Sequence, residues 1–256
     1  MILKKFRENK FLFEELVKRD FKQKYKRTVL GMGWSILSPL LSLLVMKLVF
    51  GYYFGRGIMH YTTFLFCGNL VFSYYRESTN GGMNSLMSNA NIFTKINVPK
   101  YIFLLTKNVS SFINFLLTLV VFFIFAFFDN ISFGVHFFSL LYPLACLVVF
   151  NIGIGLILSA LFVFYRDIGY LYDVFTLLTM YCSAIFYNVD VLPVKYQGLF
   201  MLNPIYVYIK YFRTVVLQGQ LPSLEHHLLC LFYAVLAVCI GGWIYKKYNH
   251  KFLYYV

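Results

Sequence analysis

Acidic residues are scarce in this chain, ten in 256 positions against 23 lysines and arginines, and all charged residues together reach only 13%. A soluble domain carries roughly 25%. With 60% apolar and 21% aromatic residues, a water-soluble fold of this length has no interior large enough to hide them, and the excess needs lipid as its solvent. Metal-ligand spacing is missing too. His60, His136, His226, His227 and His250 are dispersed, and Asp129, Asp190 and Glu225 do not cluster. That argues against a membrane-embedded glycosyl- or acyltransferase, which needs acids or histidines gathered at one face. The five cysteines, Cys67, Cys146, Cys182, Cys230 and Cys239, lie in apolar stretches without C-x-x-C spacing and read as small packing residues. No G-x-x-x-x-G-K-[ST] loop is present to cradle phosphates, so the chain is not expected to hydrolyse ATP. A cleavable signal peptide is not expected either, because the charged N-region and the apolar run after it are both too long.

What the chain does have is a succession of long apolar runs. Six are close to the ~20 residues that cross the hydrocarbon core: 33–53, 61–81, 103–128, 137–164, 168–187 and 227–245. Their continuity favours helices over barrel strands, which alternate lipid-facing and lumen-facing residues. The expected fold is an all-α membrane protein of one domain spanning 1–256.

Charge gives the orientation. Ten basic residues lie between Lys4 and Arg27, ahead of the first run. If the N-terminus is inside, Lys95, Lys100, Lys107, Arg166, Lys246, Lys247 and Lys251 join them, leaving Arg56, Lys195, Lys210 and Arg213 outside. The imbalance places both termini in the cytoplasm, with residues 246–256 as a tail. The net charge of +13 is therefore a topology signal and an attraction to anionic lipid. No basic groove with aromatic platforms points to nucleic acid.

Three segments lie outside the runs. Residues 9–29 place Phe13, Leu16, Val17, Phe21 and Tyr25 at three- and four-residue spacing with lysines on other faces, the pattern of an amphipathic helix lying in the interface. The loop 85–107 is too polar to cross, and a short helix is expected there. Between runs five and six, residues 188–226 hold apolar pieces divided by Asn203-Pro204. Because Pro204 cannot continue a helix begun before it, two short outer, re-entrant helices are expected.

The stretch from Arg19 to Gly31, followed by Trp34 and Pro39, resembles the ABC type-2 permeases that export polysaccharides and polyol phosphates. So do Phe162 to Ile168 and Leu202-Asn203-Pro204 with Arg213 and Gly219. The resemblance covers almost the whole chain. Val98-Pro99, however, stands where the family has Phe-Pro, and residues 183–187 lack a common proline. The resemblance implies a non-enzymatic transport subunit in the inner membrane, forming a homodimer of six-span chains on two copies of a separate ATPase. That partner would hold ATP and Mg, and this chain would bind no cofactor. The cargo would be a polyprenyl-linked glycan (O-antigen or capsule) or a polyol-phosphate polymer such as wall teichoic acid. Export of a drug or small lipid is the alternative, and a channel would need neither a coupling helix nor an ATPase.

Candidate residues follow. Ile96, Asn97, Val98, Pro99 and Lys100 lie where the family's coupling helix contacts the ATPase. Lys24, Lys26 and Arg27, at headgroup depth before Gly31, either receive the cargo's phosphates or hold anionic lipid. Gly31 and Gly33 permit an unusual backbone path, so the junction is a candidate lateral gate. Lys47 either lines a polar path or snorkels to the interface. Tyr52, Tyr53, Tyr74 and Tyr187 either line a sugar path or belong to interfacial belts. Arg76 and Glu77, costly inside a bilayer, are expected to pair with each other or across subunits, or to touch cargo.

Overall fold

The computed structural model describes residues 7–255 apart from Arg27, Arg56 and Asn97; the side chains of Tyr25 and Val194 also lie outside the description. Every regular element among the described residues is helical. The long helices are α1 (Lys10–Tyr25), α2 (Trp34–Phe54), α3 (Tyr61–Asn84), α4 (Tyr101–Phe128), α5 (Leu141–Phe164), α6 (Ile168–Cys182), α7 (Pro204–Gln218) and α8 (Leu224–Tyr248). Among the described residues four stretches, Gly31–Phe54, Tyr101–Phe128, Val135–Phe164 and Leu224–Tyr248, are long and apolar enough to cross a bilayer. The chain is a multi-pass membrane protein.

Contacts between side chains fix the helix directions. Phe66 meets Phe122 while Tyr74 meets Phe115, so α3 and α4 run antiparallel. Tyr75 meets Phe150 and Gly82 approaches Gly155, so α3 and α5 run parallel. Helix α8 lies parallel to α5, with the Tyr142 hydroxyl donating to the carbonyl of His227 and Gly153 against Ala237. That contact is backbone on backbone. A Cβ on Gly153 would lie 2.4 Å from the Ala237 carbonyl carbon, and one on Gly241 would lie 2.5 Å from the Gly153 oxygen. Small residues let helices approach this closely where lipid offers no hydrophobic push.

Helix α3 sits in the middle, most of its residues buried by neighbours on several sides. Its buried polar residues, Thr63, Asn69, Ser78 and Thr79, have protein rather than lipid as their solvent, whereas Ser73 and Arg76 are exposed and Glu77 and Asn80 half-buried.

Several expected boundaries move. The interface helix stops at Tyr25 rather than running to residue 29, with Lys26 extended after it. The fifth apolar run stays helical only to Cys182, not to 187. Ala184, fully buried, takes a left-handed φ of 50°, a conformation that costs an L-residue roughly 1–2 kcal/mol. Arg213 of α7 offsets it. The guanidinium donates to the carbonyls of Ala184 and Ile185 at 2.8 Å and of Phe64 at 3.3 Å, and lies 3.4 Å from the Phe64 ring centroid. Gly68 makes the room, since a Cβ there would stand 3.0 Å from that guanidinium.

The outer segment is helical on both sides of Asn203-Pro204, as expected. Its first half is made of short helical pieces, Val189–Val191 and then Val194–Gln197 running directly into Gly198–Leu202. The second is α7, capped by the Asn203 side chain accepting from the Ile205 amide, with Pro204 at its start and left-handed Gly219 at its end. This is the boundary expected from Asn203-Pro204. The tail is not free: after α8, Lys251–Tyr254 folds back and Phe252 is fully buried against Tyr245 and Phe164.

Candidate functional site

Helices α2, α3 and α4 do not close on one another near α1. They enclose a cavity of about 350 Å3. Each contributes polar residues along one stripe: Ser35, Ser38 and Ser42 from α2, Asn69, Ser73 and Glu77 from α3, and Ser111, Asn114 and Thr118 from α4. Spacings of three, four, seven and eight keep such residues on one helix face. Within a bundle of apolar helices, polar side chains gather where they face a cavity or one another. Pro39, inside α2 and also on the wall, has no amide hydrogen, which removes the helical donor to the Ser35 carbonyl and leaves an acceptor there.

The end of the cavity nearest α1 is marked by charge. Lys24, in the last turn of α1, reaches Glu77 at 2.8 Å. The Asn114 side-chain amide donates to both oxygens of the same carboxylate at 3.2 and 3.0 Å. Both members of the ion pair remain partly exposed. Farther along the wall, the Tyr74 hydroxyl donates to Asn108 at 3.4 Å. The Ser35 hydroxyl donates to the Met32 carbonyl in the turn before α2, and that of Thr118 to the Asn114 carbonyl one turn back in α4.

Helix α1 is held one turn before Lys24. Asp20, nearly buried, takes Arg19 at 2.8 Å and Lys107 of α4 at 3.0 Å, and Arg19 donates to Asn89 at 2.7 Å. After Tyr25 the chain turns sharply. Gly31 has φ of 51°, left-handed, with nothing within 4 Å of where a Cβ would stand. Gly33, by contrast, is ordinary right-handed backbone.

The candidates of the amino-acid sequence are thus distributed unevenly. Lys24, Tyr74 and Glu77 come together in the cavity wall. Glu77 does not pair with Arg76: neighbours in a helix point about 100° apart, and the two share only the rim of a shallow depression with Ser73, Asn80 and Gly81. Lys26 is exposed, and Arg27 lies outside the described residues. Lys47, Tyr52 and Tyr53 stand exposed on the far half of α2, away from the cavity, with the two tyrosine rings edge to face at 5.3 Å. Tyr187 is half-buried beyond α6, its hydroxyl donating to the Tyr181 carbonyl at 3.0 Å. The stripes themselves went unread in the sequence, although the same-face spacing of serines in the first apolar run is visible there.

In the loop after α3, the helical part is Met87–Asn89 followed by Ala90–Phe93, ahead of the coupling candidates. Val98 is buried with Leu16, Phe93 and Phe103, Pro99 is half-buried and Ile96 is exposed; Asn97 lies outside the described residues. Lys100 turns inward. Its ammonium donates to the Asn249 carbonyl at 2.6 Å and lies 5.8 and 5.6 Å from the Phe93 and Phe252 rings. Burial there lowers its pKa from the ordinary lysine value. Lys100 is therefore a strut between this loop and the end of α8. Of the cysteines, Cys67, Cys146 and Cys230 pack inside, whereas Cys182 and Cys239 are exposed.

Comparison with known proteins gives a consistent result. The O-antigen export system permease protein RfbA of Klebsiella pneumoniae is 27% identical over 247 residues, covering 94% of this chain and 95% of that protein. The protein of the same name from Myxococcus xanthus is 22% identical over 247 residues, 94% of each. The polysialic acid transport protein KpsM of Escherichia coli is 20% identical over 219 residues, 84% of this chain and 85% of that one. The profile of the ABC-2 type transporter family matches residues 12–217, from α1 to the end of α7 and through every wall of the cavity. A bundle of apolar helices around a polar cavity, matched over that length, has one reading: the chain belongs to the ABC-2 type transporter family.

Proposed function

We propose that this chain is the membrane-spanning permease subunit of an ATP-driven exporter that moves a lipid-linked polysaccharide across the cytoplasmic membrane. The observation that carries the reading is the near end-to-end match to permeases named for O-antigen export, in a chain whose helices enclose a cavity walled by hydroxyls and amides. Such groups suit a hydroxyl-rich cargo. Chemistry on ATP falls to a separate ATPase, and this chain is a transport subunit rather than an enzyme.

Six crossings fit the helix directions. Beside the four long apolar stretches, α3 has 24 residues, about 36 Å at 1.5 Å per residue. Helix α6, with 15 residues, covers only about 22 Å. Yet Tyr172 bonds Thr79 while the Phe186 carbonyl accepts from Tyr61, so α6 and the turn after it run back along most of α3. The basic-residue bias supports cytoplasmic termini and an α1 that lies in the inner interface. The whole chain acts as one transmembrane domain, since α8, beyond the family match, packs along α5. Two such chains meet on two ATPases. The exposed apolar face of α2, including Leu44, Val45, Leu48 and Val49, supports a partner copy there, and exposed Ile96 with Lys95 supports a contact for the ATPase. Lipid-linked cargo is admitted sideways at the junction of Lys24, Lys26, Arg27 and Gly31. O-antigen, capsule and teichoic-acid polymers all satisfy this chemistry.

The test is ATP-dependent transfer of a polyprenyl-linked glycan into vesicles carrying the chain with its ATPase. Transfer that needs both subunits is expected. Vesicles that move small amphiphiles but no glycan would overturn the reading.

A further inference from the structure

Glu77 is an unusual group to find at the mouth of a cavity meant for a phosphate-bearing lipid. It is an anion bonded to Lys24, the lysine nearest the opening, at 2.8 Å. Its partner arrangement explains how it can be displaced. Asn114 donates to both carboxylate oxygens from α4, so the carboxylate keeps hydrogen bonds if Lys24 leaves. Lys24 is the member carried by α1. It sits between two fixed points, the Asp20–Lys107 contact of 3.0 Å one turn earlier and the left-handed turn at Gly31, and about two-fifths of its side chain is exposed. Beyond this pair the cavity continues along α3 from Glu77 to Asn69, eight residues or about 12 Å, walled by Ser38, Ser42, Ser111 and Thr118.

We propose that Glu77 stands in for a ligand phosphate: the cavity takes the phosphorylated head of a lipid whose phosphate exchanges for Glu77 on Lys24, while the hydroxyl- and amide-bearing walls hold the sugar attached to that phosphate. The idea deepens the exporter reading and rests on it for the sugar. The shared chemistry, a phosphate ester on a lipid, comes either from polyprenyl-linked cargo or from a bulk anionic phospholipid. No covalent step is involved. Lys24 exchanges its bond to the Glu77 carboxylate for one to the phosphate.

Sign distinguishes this from a purely structural ion pair. If Lys24–Glu77 merely fastens α1 to the bundle, removing either charge loosens the same contact and both changes act in the same direction. If Glu77 competes with the ligand, they act in opposite directions. The experiment uses the full chain in phosphatidylcholine nanodiscs, without ATP, and the equilibrium binding of a fluorescent short-chain polyprenyl diphosphate carrying one hexose. Lys24→Gln is expected to weaken binding by about tenfold or more, the loss of a hydrogen bond to a charged group. Glu77→Gln is expected to tighten it about threefold, the scale of a partly exposed ion pair removed from competition. Lys10→Gln, which removes the same charge from α1 away from the cavity, is expected to change it less than twofold. Ser38→Val with Ser42→Val is expected to weaken the hexose-bearing probe more than the same diphosphate without sugar. Melting of each variant within a few degrees of the parent shows that it is folded. Equal losses in Lys24→Gln and Glu77→Gln, or no change in either, overturn the proposal. Displacement of the probe by phosphatidylglycerol at equal mole ratio overturns assignment to cargo and gives the site to bulk lipid. Binding with the expected signs but no glycan export would sink the exporter reading and leave the phosphate site standing. Normal export without those signs would do the reverse.

Discussion

Replacing Gly153 by alanine adds one carbon where α5 and α8 touch, and the structure says how much that carbon costs. It would lie 2.4 Å from the Ala237 carbonyl carbon, 2.5 Å from the Val238 nitrogen and 2.7 Å from the Ala237 oxygen. Carbon–carbon contacts are comfortable at about 3.5 Å, so the helices must part by about 1 Å. All three atoms are backbone, and no rotamer change relieves them. Overpacking of this kind costs about 1–3 kcal/mol. Alanine's better helix propensity returns about 1 kcal/mol. Adding the loss of close packing along the neighbouring turns, we expect a net destabilisation of about 1–2 kcal/mol, or roughly 2–8 °C in Tm. The neighbouring helix supplies its own control. Gly242 has nothing within 4 Å of a Cβ, so Gly242→Ala enjoys the propensity without the clash and is expected to be neutral or slightly stabilising. Thermal unfolding of the purified full chain in detergent, followed by the surviving monodisperse fraction, reads both. The strain also reaches the cavity: two residues on, Gly155 approaches Gly82 of α3, so parting α5 from α8 shifts the helix that carries Glu77. If Gly153→Ala melts together with Gly242→Ala, the backbone contact is not what holds α5 to α8 and the reasoning fails.

Arg213→Lys should lower stability by about 2–4 kcal/mol, because an ammonium cannot fork to the Phe64, Ala184 and Ile185 carbonyls; faster proteolysis around Tyr187 reads the loosened turn, and unchanged cleavage would remove its assigned role. Asp20→Asn should free α1 from Lys107 of α4 and loosen Arg19 beside it, speeding amide exchange in residues 10–25 by about tenfold while α5 and α8 stay protected; uniform exchange changes would contradict a local clamp. Lys100→Met removes the bond to the Asn249 carbonyl and is expected to raise exchange in the 249–254 turn with little effect on ATPase copurification, whereas Ile96→Asp, at an exposed position, should weaken copurification and leave the melt unchanged. The opposite pattern would return Lys100 to the coupling surface. Single-cysteine labelling of position 95 by an impermeant reagent in intact cells would contradict cytoplasmic placement of this loop.

Composition and local pattern alone fixed much of this protein. Long apolar runs place α2, α4, α5 and α8 within a few residues, because a helix that must satisfy its own backbone in lipid leaves a continuous hydrophobic trace. Asn203-Pro204 marked the start of α7 through local cap chemistry, which needs no distant partner. The family was also readable, from short motifs at the α1–α2 junction, after α5 and before α7. Tertiary structure alone decided the rest. Helix α6 ends at Cys182 because Arg213, some thirty residues later, and Phe64, 149 residues away from Arg213, hold Ala184 in a turn that its own sequence would not choose. Lys100 reads in the sequence as part of the loop that faces the ATPase, and only folding brings the Asn249 carbonyl, 149 residues on, beside it. The cavity is assembled from stripes on α2, α3 and α4, each of which alone reads as a few serines in an apolar run. Glu77 shows the difference most plainly: its nearest neighbour in the chain is Arg76, but side-chain direction in a helix forbids that pair, and folding delivers Lys24 from 53 residues away and Asn114 from 37. Sequence records the polarity of each element; the close approach of three elements determines which polar groups share a space, and so where a cargo can be held.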